Sequence, residues 1–362
     1  MTLPTMKIIF FRNFTLTWQS SLELSFDYRV SSQKTRLCHR LHEGALMVQR
    51  PLYPEPEKID IECPSPDQMS SLNPHQTLYT TPKKRISQSG ICHIYVLYPP
   101  AGIADGDKLA MTFDLKPYSY AVITTPGAGK WYGQRESLRS TNSPQSQLQS
   151  QQSLSNPIKS KPKAEQNIRV QLADNATLEW LPQESIYFDY SVSNACSHFD
   201  LAPTASLMTW DIAVFGRQAY NETFANGQYN NRLQIWRDDQ LLVSEHTQQV
   251  ANSRWFQSPL GLNKQHVHGS FWAVPSVDVL DSEAQSNPLK LGQFLDETIT
   301  ELRELIDQHN LPIESTHNYQ AINCRYIGGD VRACFEAFYE VRELLREKWY
   351  QLQPHRPRIW DT

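Results

Sequence analysis

Three carboxylates punctuate one apolar and aromatic stretch, Glu179, Glu184 and Asp189 in Thr177-Leu178-Glu179-Trp180-Leu181-Pro182-Gln183-Glu184-Ser185-Ile186-Tyr187-Phe188-Asp189. Carboxylates in such a setting are costly to bury, so each needs a partner, water or a metal ion. Two readings stay open from the residues alone. The side chains are buried against a partner, water or a metal ion, or they sit at strand ends and on a solvent face, capping turns and pairing with arginines such as Arg217 and Arg232. Cys196-x-His198 and His266-x-His268 each set two potential ligands two residues apart, on one face of a strand. Such pairs can hold nickel or zinc, and they also arise incidentally on surfaces and in cores.

Gly127-Ala128-Gly129-Lys130 has the ending of a phosphate-binding loop without its beginning. Thr124 stands where the upstream glycine is required, and Trp131 replaces the Ser or Thr that would reach magnesium. A turn after a strand is the better reading. No Ser/His/Asp or Cys/His arrangement has a recognisable nucleophile context, so no catalysis is expected of this chain. The alternative is a β-sandwich that binds carbohydrate or hydrolyses glycosides with paired carboxylates, for which the carboxylates themselves are the whole support.

The elements that must position these residues are mostly strands. Between Trp18 and Val274, short β-branched and aromatic runs alternate with Gly, Pro and Asn. Ile91–Leu97 ends at Pro99-Pro100, Ala121–Thr125 at Pro126-Gly127, and Leu207–Phe215 at Gly216. Proline there cannot donate a ladder hydrogen bond, and glycine permits a turn. Leu233–Trp236 and Leu241–Val243, joined across Arg237-Asp238-Asp239-Gln240, read as a hairpin with one buried face. The C-terminal part changes period. Asn287-Pro288 caps a helix with Leu291, Phe294, Leu295, Ile299, Leu302, Leu305 and Ile306 at helical spacing, stopped by Asn310 and Pro312. Asp330 caps a second helix, whose stripe is Val331, Cys334, Phe335, Phe338, Val341, Leu345 and Trp349. Both stripes need cover from the sheets or from a partner.

Segment 58–89 bears proline, serine and lysine with little periodicity, and 137–163 is Ser/Gln-rich with almost no large apolar residues, so neither can offset its ordering entropy. Strand patterns resume after each, so they read as mobile surface insertions within one domain spanning 1–362; the Ser/Gln-rich second tract can also be read as an interaction arm. The 362 residues suffice for one large or two ordinary domains. A net charge of -4 argues against nucleic-acid binding through a strongly basic surface. No run approaches the roughly 18 apolar residues of a membrane span, and Met6–Phe11 breaks at Arg12, too short for a signal-peptide core. The six cysteines (Cys38, Cys63, Cys92, Cys196, Cys324, Cys334) are scattered, with no Cys-x-x-Cys. They read as reduced, cytoplasmic and mostly buried.

The stretch Leu178–Glu184, followed by Phe188-Asp189, is similar to the L-E-W-L-P-Q-E and F-D signature of the UreD family of urease accessory proteins. Other blocks resemble the same family in the same order: Gly44–Glu55; Cys92–Asp107 followed by Thr124–Tyr132; Trp210-Asp211, Phe215-Gly216-Arg217 and Asn231-Arg232-Leu233; and Pro357-Arg358-Ile359-Trp360. Tyr98 stands where the family usually has His, Ala101 and Asp105 replace glycines, and Gly129 replaces an alanine. The resemblance implies layered mixed β-sheets in a β-helix-like arrangement, with the helical pair near the C-terminus. It implies a non-enzymatic maturation chaperone that links the urease apoprotein to UreF and the GTPase UreG and passes nickel onward, with no stably bound cofactor. Oxygen donors hold nickel more weakly than thiolates, so a carboxylate-lined path lets the ion move on. Glu184, Glu179, Asp189, Asp105 and Asp107 are the candidates for that path. His266, His268, Cys196 and His198 are secondary metal candidates outside the blocks that carry the resemblance.

Overall fold

The computed structural model describes residues 18–56, 87–133, 163–277, 288–318 and 320–361. Apart from Ser87–Ser89 and Lys163, the two expected insertions lie outside the described residues, as do Cys63 and the Met6–Phe11 run.

In chain order the strands are β1 (Gln19–Arg29), β2 (Lys34–Glu43), β3 (Met47–Val48), β4 (Cys92–Leu97), β5 (Lys108–Leu115), β6 (Tyr120–Thr124) and β7 (Gly129–Trp131). Then come β8 (Ala164–Leu172), β9 (Thr177–Trp180), β10 (Ser185–Tyr187), β11 (Ser193–Leu201), β12 (Ser206–Phe215), β13 (Gln228–Arg237) and β14 (Gln240–Val250). After the short helix α1 (Arg254–Gln257) follow β15 (Val267–Val274), α2 (Pro288–His309), β16 (Ile313–His317), β17 (Ile322–Gly328) and α3 (Val331–Tyr350).

Successive strands are dealt to two sheets in turn. β5, β8 and β11 lie in parallel in a seven-stranded sheet of order β14-β13-β11-β8-β5-β1-β2. Tight turns carry each of them to β6, β9 and β12, which lie in parallel in a ten-stranded sheet of order β16-β17-β15-β12-β9-β6-β4-β3, with β10 and β7 branching from β12. One strand per sheet per turn of chain is the β-helix-like arrangement that the resemblance implies.

The burial pattern follows from the layers. β5 alternates, with Leu109, Met111, Phe113 and Leu115 buried and the residues between them facing outward. β6 and β9 are buried at every position, because the ten-stranded sheet is covered on one face by the first sheet and on the other by the helices. Leu291, Leu295, Ile299 and Leu302 of α2 and Phe335, Phe338, Val341, Leu345 and Trp349 of α3 supply that cover. The helical stripes therefore pack on a sheet of their own chain. Asp330 caps α3 as its position predicts, accepting from Arg332 N and Ala333 N. The β13–β14 hairpin turns on Asp238 and Asp239, both with positive φ. Between the helices the chain forms the β16–β17 hairpin, which the sequence reading does not anticipate. Ala101, standing in place of a family glycine, keeps the left-handed backbone a glycine would adopt, with φ 61°. Among the described residues no helix is long and apolar enough to cross a membrane.

Gly269 shows how closely α3 sits. A Cβ added there would lie 2.5 Å from Cys334 Sγ and 2.8 Å from Phe338 Cζ. Gly269→Ala is expected to destabilise the protein by about 1–3 kcal/mol through overpacking. Adding Cys334→Ala should recover part of the loss. Thermal melts of the single and double variants check this, and a double variant no more stable than Gly269→Ala would place the strain elsewhere.

Candidate functional site

Alternation along each strand of the ten-stranded sheet sorts its polar side chains between two environments, one beneath the helices and one facing the other sheet. Glu179 faces the helices and is fully buried. Its Oε2 accepts from Arg342 Nε at 2.5 Å, and its Oε1 accepts from Tyr120 OH at 2.5 Å and lies 3.3 Å from Arg346 Nε. Arg346 Nη2 donates to Glu55 Oε2 at 2.5 Å, Glu55 Oε1 is 2.8 Å from His93 Nε2, and Gln88 Nε2 also donates to Glu55. Gln88 is therefore buried structure at the very end of the segment read as a surface insertion. Burial alone would push the Glu179 and Glu55 carboxyls up. The arginine charges, with the His93 contact at Glu55, more than offset it and hold both below the usual carboxylate range. Glu179 thus has arginine partners, though they are Arg342 and Arg346; Arg217 instead pairs with Glu222, and Arg232 is exposed.

The other environment is a cavity of about 460 Å³ between the sheets. Leu109, Met111, Ile168, Trp131 and Trp180 make apolar wall; Asp211, Asn231, Glu245, Thr247, His268 and Ser270 supply polar groups. Asp211 on β12 accepts from Asn231 Nδ2 on β13 at 2.6 Å, a bond that spans the two sheets. Burial and the neighbouring Glu245 charge push the Asp211 carboxyl up to about 6, against the Asn231 hydrogen bond. Glu245 Oε2 accepts from Ser270 Oγ at 2.9 Å and Trp272 Nε1 at 2.8 Å, and its Oε1 is 2.9 Å from Arg325 Nη1. Burial raises the Glu245 carboxyl, but Arg325 and these donors bring it below its ordinary value. Burial lowers His268 to about 4, so its imidazole is neutral near pH 7 and able to act as a ligand. Asp211 and Glu245 were not singled out from the sequence. Asp211 did carry a signal, one carboxylate inside the otherwise apolar run Leu207–Phe215, whereas Glu245 lies on a mixed edge strand that gives none.

The other sequence candidates are dispersed. Glu184 is half-buried beside a second pocket of about 220 Å³ with Val331, Arg332, Phe335 and Trp360; Pro126, Gly127, Ala128 and Gln183 border both this pocket and the cavity. Asp107 is buried and caps a turn, accepting from Trp18 N and Ala104 N, and Asp105 lies half-buried in the same turn. Asp189 accepts from the backbone N–H groups of Ala225 and Asn226. His266 precedes β15, and of that pair only His268 lines the cavity. Ala195 and Ser197 of β11 line the cavity, which turns the intervening Cys196 and the next residue, His198, to the outer face; His198 Nε2 is 2.9 Å from Asp200 Oδ1. Among the described residues, no three His, Cys, Asp or Glu side chains converge closely enough to hold a metal ion.

Comparison with known proteins covers almost the whole chain. A family profile described as UreD urease accessory protein matches residues 19–361. The chain is 62% identical over 357 residues to urease accessory protein UreD 2 of Psychrobacter cryohalolentis, covering 96% of this chain and 100% of that protein. It is 34% identical over 345 residues to urease accessory protein UreD of Acinetobacter baumannii, with 95% of each chain covered. It is 30% identical over 352 residues to the protein of the same description from an Enterobacter species, 95% of this chain and 96% of that one.

Arginine-paired and half-buried carboxylates should respond differently to neutralisation. Glu179→Gln leaves buried Arg342 and Arg346 short of a counter-charge, and is expected to cost about 3–5 kcal/mol. Glu184→Gln, at a half-buried carboxylate, should stay within about 0.5 kcal/mol. Chemical denaturation of both variants tests the assignment. An unchanged midpoint for Glu179→Gln would show that the arginine cluster does not depend on it.

Proposed function

The chain belongs to the UreD family of urease accessory proteins, and from that membership we propose that it acts in urease maturation as a non-catalytic scaffold. It links the urease apoprotein to UreF and UreG in the cytoplasm and lets nickel pass through the cavity between its sheets. The carbohydrate alternative has no comparable support. The five described cysteines are free thiols, which suits a reducing compartment.

The observation that carries the conduit reading is the donor set of the cavity. Asp211, Glu245 and His268 offer oxygen and neutral imidazole donors among amides and hydroxyls, without a closed cluster. A tetrahedral thiolate site would retain nickel. Separated carboxylates and one imidazole attract a divalent cation and let it leave. On this reading the path runs past Asp211, and Glu184 stands near the cavity's neighbouring pocket. Glu179 drops out of the path, because its charge is already committed to two arginines. Asp107 and Asp189 belong to turns.

Asp211→Asn keeps size and hydrogen bonding while removing the charge. Nickel loaded into urease is expected to fall about tenfold, since one charged contact is worth about 1.5–3 kcal/mol. Capture of the partner proteins should persist. Ser197→Trp, which fills the cavity from β11, should block loading in the same way. Because Asp211 binds a proton below about 6, nickel uptake by the wild-type chain should weaken as pH falls from 7 to 5, and Asp211→Asn should flatten that dependence. Urease-bound nickel, complex yield and melting temperature are measured together. Full loading by Ser197→Trp would rule out passage through the cavity.

A further inference from the structure

Glu245 is a cavity carboxylate that already holds a cation. Arg325 on β17, opposite Ser270 of β15, reaches it with Nη1 2.9 Å from Glu245 Oε1, while Arg325 Nε donates to Asn323 Oδ1 at 2.9 Å. The Glu245 side chain is 17% exposed and that of Arg325 43% exposed. The pair therefore stands at the margin where β14, the last strand of one sheet, faces β15 and β17 of the other. The second Glu245 oxygen is taken by Ser270 Oγ and Trp272 Nε1. Beside it His268, 8% exposed and lining the cavity, makes no side-chain hydrogen bond among the described residues. The Trp255 indole lies edge-on to its ring at 6.0 Å, and the Glu245 and Arg325 charges act on it. A buried imidazole without a hydrogen-bond partner is an available ligand, held next to a carboxylate that is not available.

Resting on the conduit reading above, we propose that Arg325 is a tethered cation that occupies Glu245 and withholds it from the metal, so that the cavity passes a borderline divalent ion instead of retaining it. With Arg325 in place the ion meets His268 without the charge of the neighbouring Glu245. To take Glu245 it must displace the Arg325 guanidinium. That displacement is feasible because Arg325 is partly solvated and can swing outward, and it is reversible because the arginine remains attached. Removing the guanidinium converts the margin of the cavity into a site with carboxylate and imidazole donors together, which binds a nickel ion more tightly and releases it more slowly.

The test is nickel binding by the full chain, measured by equilibrium dialysis and by competition with a colorimetric chelator. Arg325→Gln should bind Ni²⁺ about tenfold or more tightly than wild type, the size expected when a close charge pair no longer competes. Its nickel off-rate should fall correspondingly. Arg325→Lys, which keeps a cation at the position, should stay near wild type, and Glu245→Gln with Arg325→Gln should lose the gain. Melting temperatures establish that all three variants are folded. Wild-type or weaker nickel binding by folded Arg325→Gln, or a gain that survives in the double variant, overturns the proposal. The two readings fail separately: normal urease loading by Ser197→Trp removes the conduit, whereas Arg325→Gln without tighter nickel binding removes the tethered cation.

Discussion

Two guanidinium groups removed from water, Arg342 and Arg346, constrain most of what surrounds them. Both sit on α3 and are fully buried. Such charges are tolerated only where carboxylates and hydrogen bonds compensate the lost hydration. Glu179 from β9, Glu55 from the segment after β3, and Glu343 from α3 itself provide that compensation. The C-terminal segment joins them, with the His355 carbonyl accepting from Arg342 Nη1 and the Trp360 ring lying 5.3 Å from its guanidinium carbon. Residues far apart in the chain are thus held to one point, and the helix cannot slide along the sheet without stranding a charge. Burial works against the Arg346 charge, yet the surrounding carboxylates and Tyr120 hold its proton more firmly than in water.

The same sheet does opposite things on its two faces. Trp210 on β12 packs among Phe271, Phe335, Phe338 and Trp360 beneath the helices. Its neighbour Asp211 turns to the other side and bonds to Asn231. On β9, Glu179 enters the arginine cluster and Trp180 lines the cavity. A strand reverses side-chain direction at every residue, so an acid and an aromatic exchange roles between adjacent strands. One face commits its carboxylates to buried arginines and carries stability, although Arg342 Nη2 and Arg346 Nη1 make no hydrogen bond among the described residues. The other keeps Asp211 and His268 with fewer partners, facing the cavity between the sheets.

What the amino-acid sequence determined by itself is local and repetitive. Alternation in Lys108–Leu115, proline and glycine at strand ends, Asp330 before an apolar stripe and the Asp238-Asp239 turn each state a backbone preference that neighbours along the chain enforce. These are enough for a mainly β protein with a helical pair near its end, and long ordered blocks such as Leu178–Glu184 are enough for the family. The sequence also showed that Glu179, if buried, needed a partner, water or a metal ion, since a carboxylate is costly to remove from water. It did not show which partner. Arg342 lies 163 residues away, and which arginine reaches Glu179 depends on how α3 docks, a property of packed layers and not of spacing. The cavity was invisible for the same reason. Asp211, Asn231, Glu245 and His268 come from four strands in two sheets, and their proximity exists only once β12 faces β13 and β15 faces β14. Whether a carboxylate is bound to buried arginines or faces a cavity is decided by what the opposite layer places against it, and only the tertiary structure sets that.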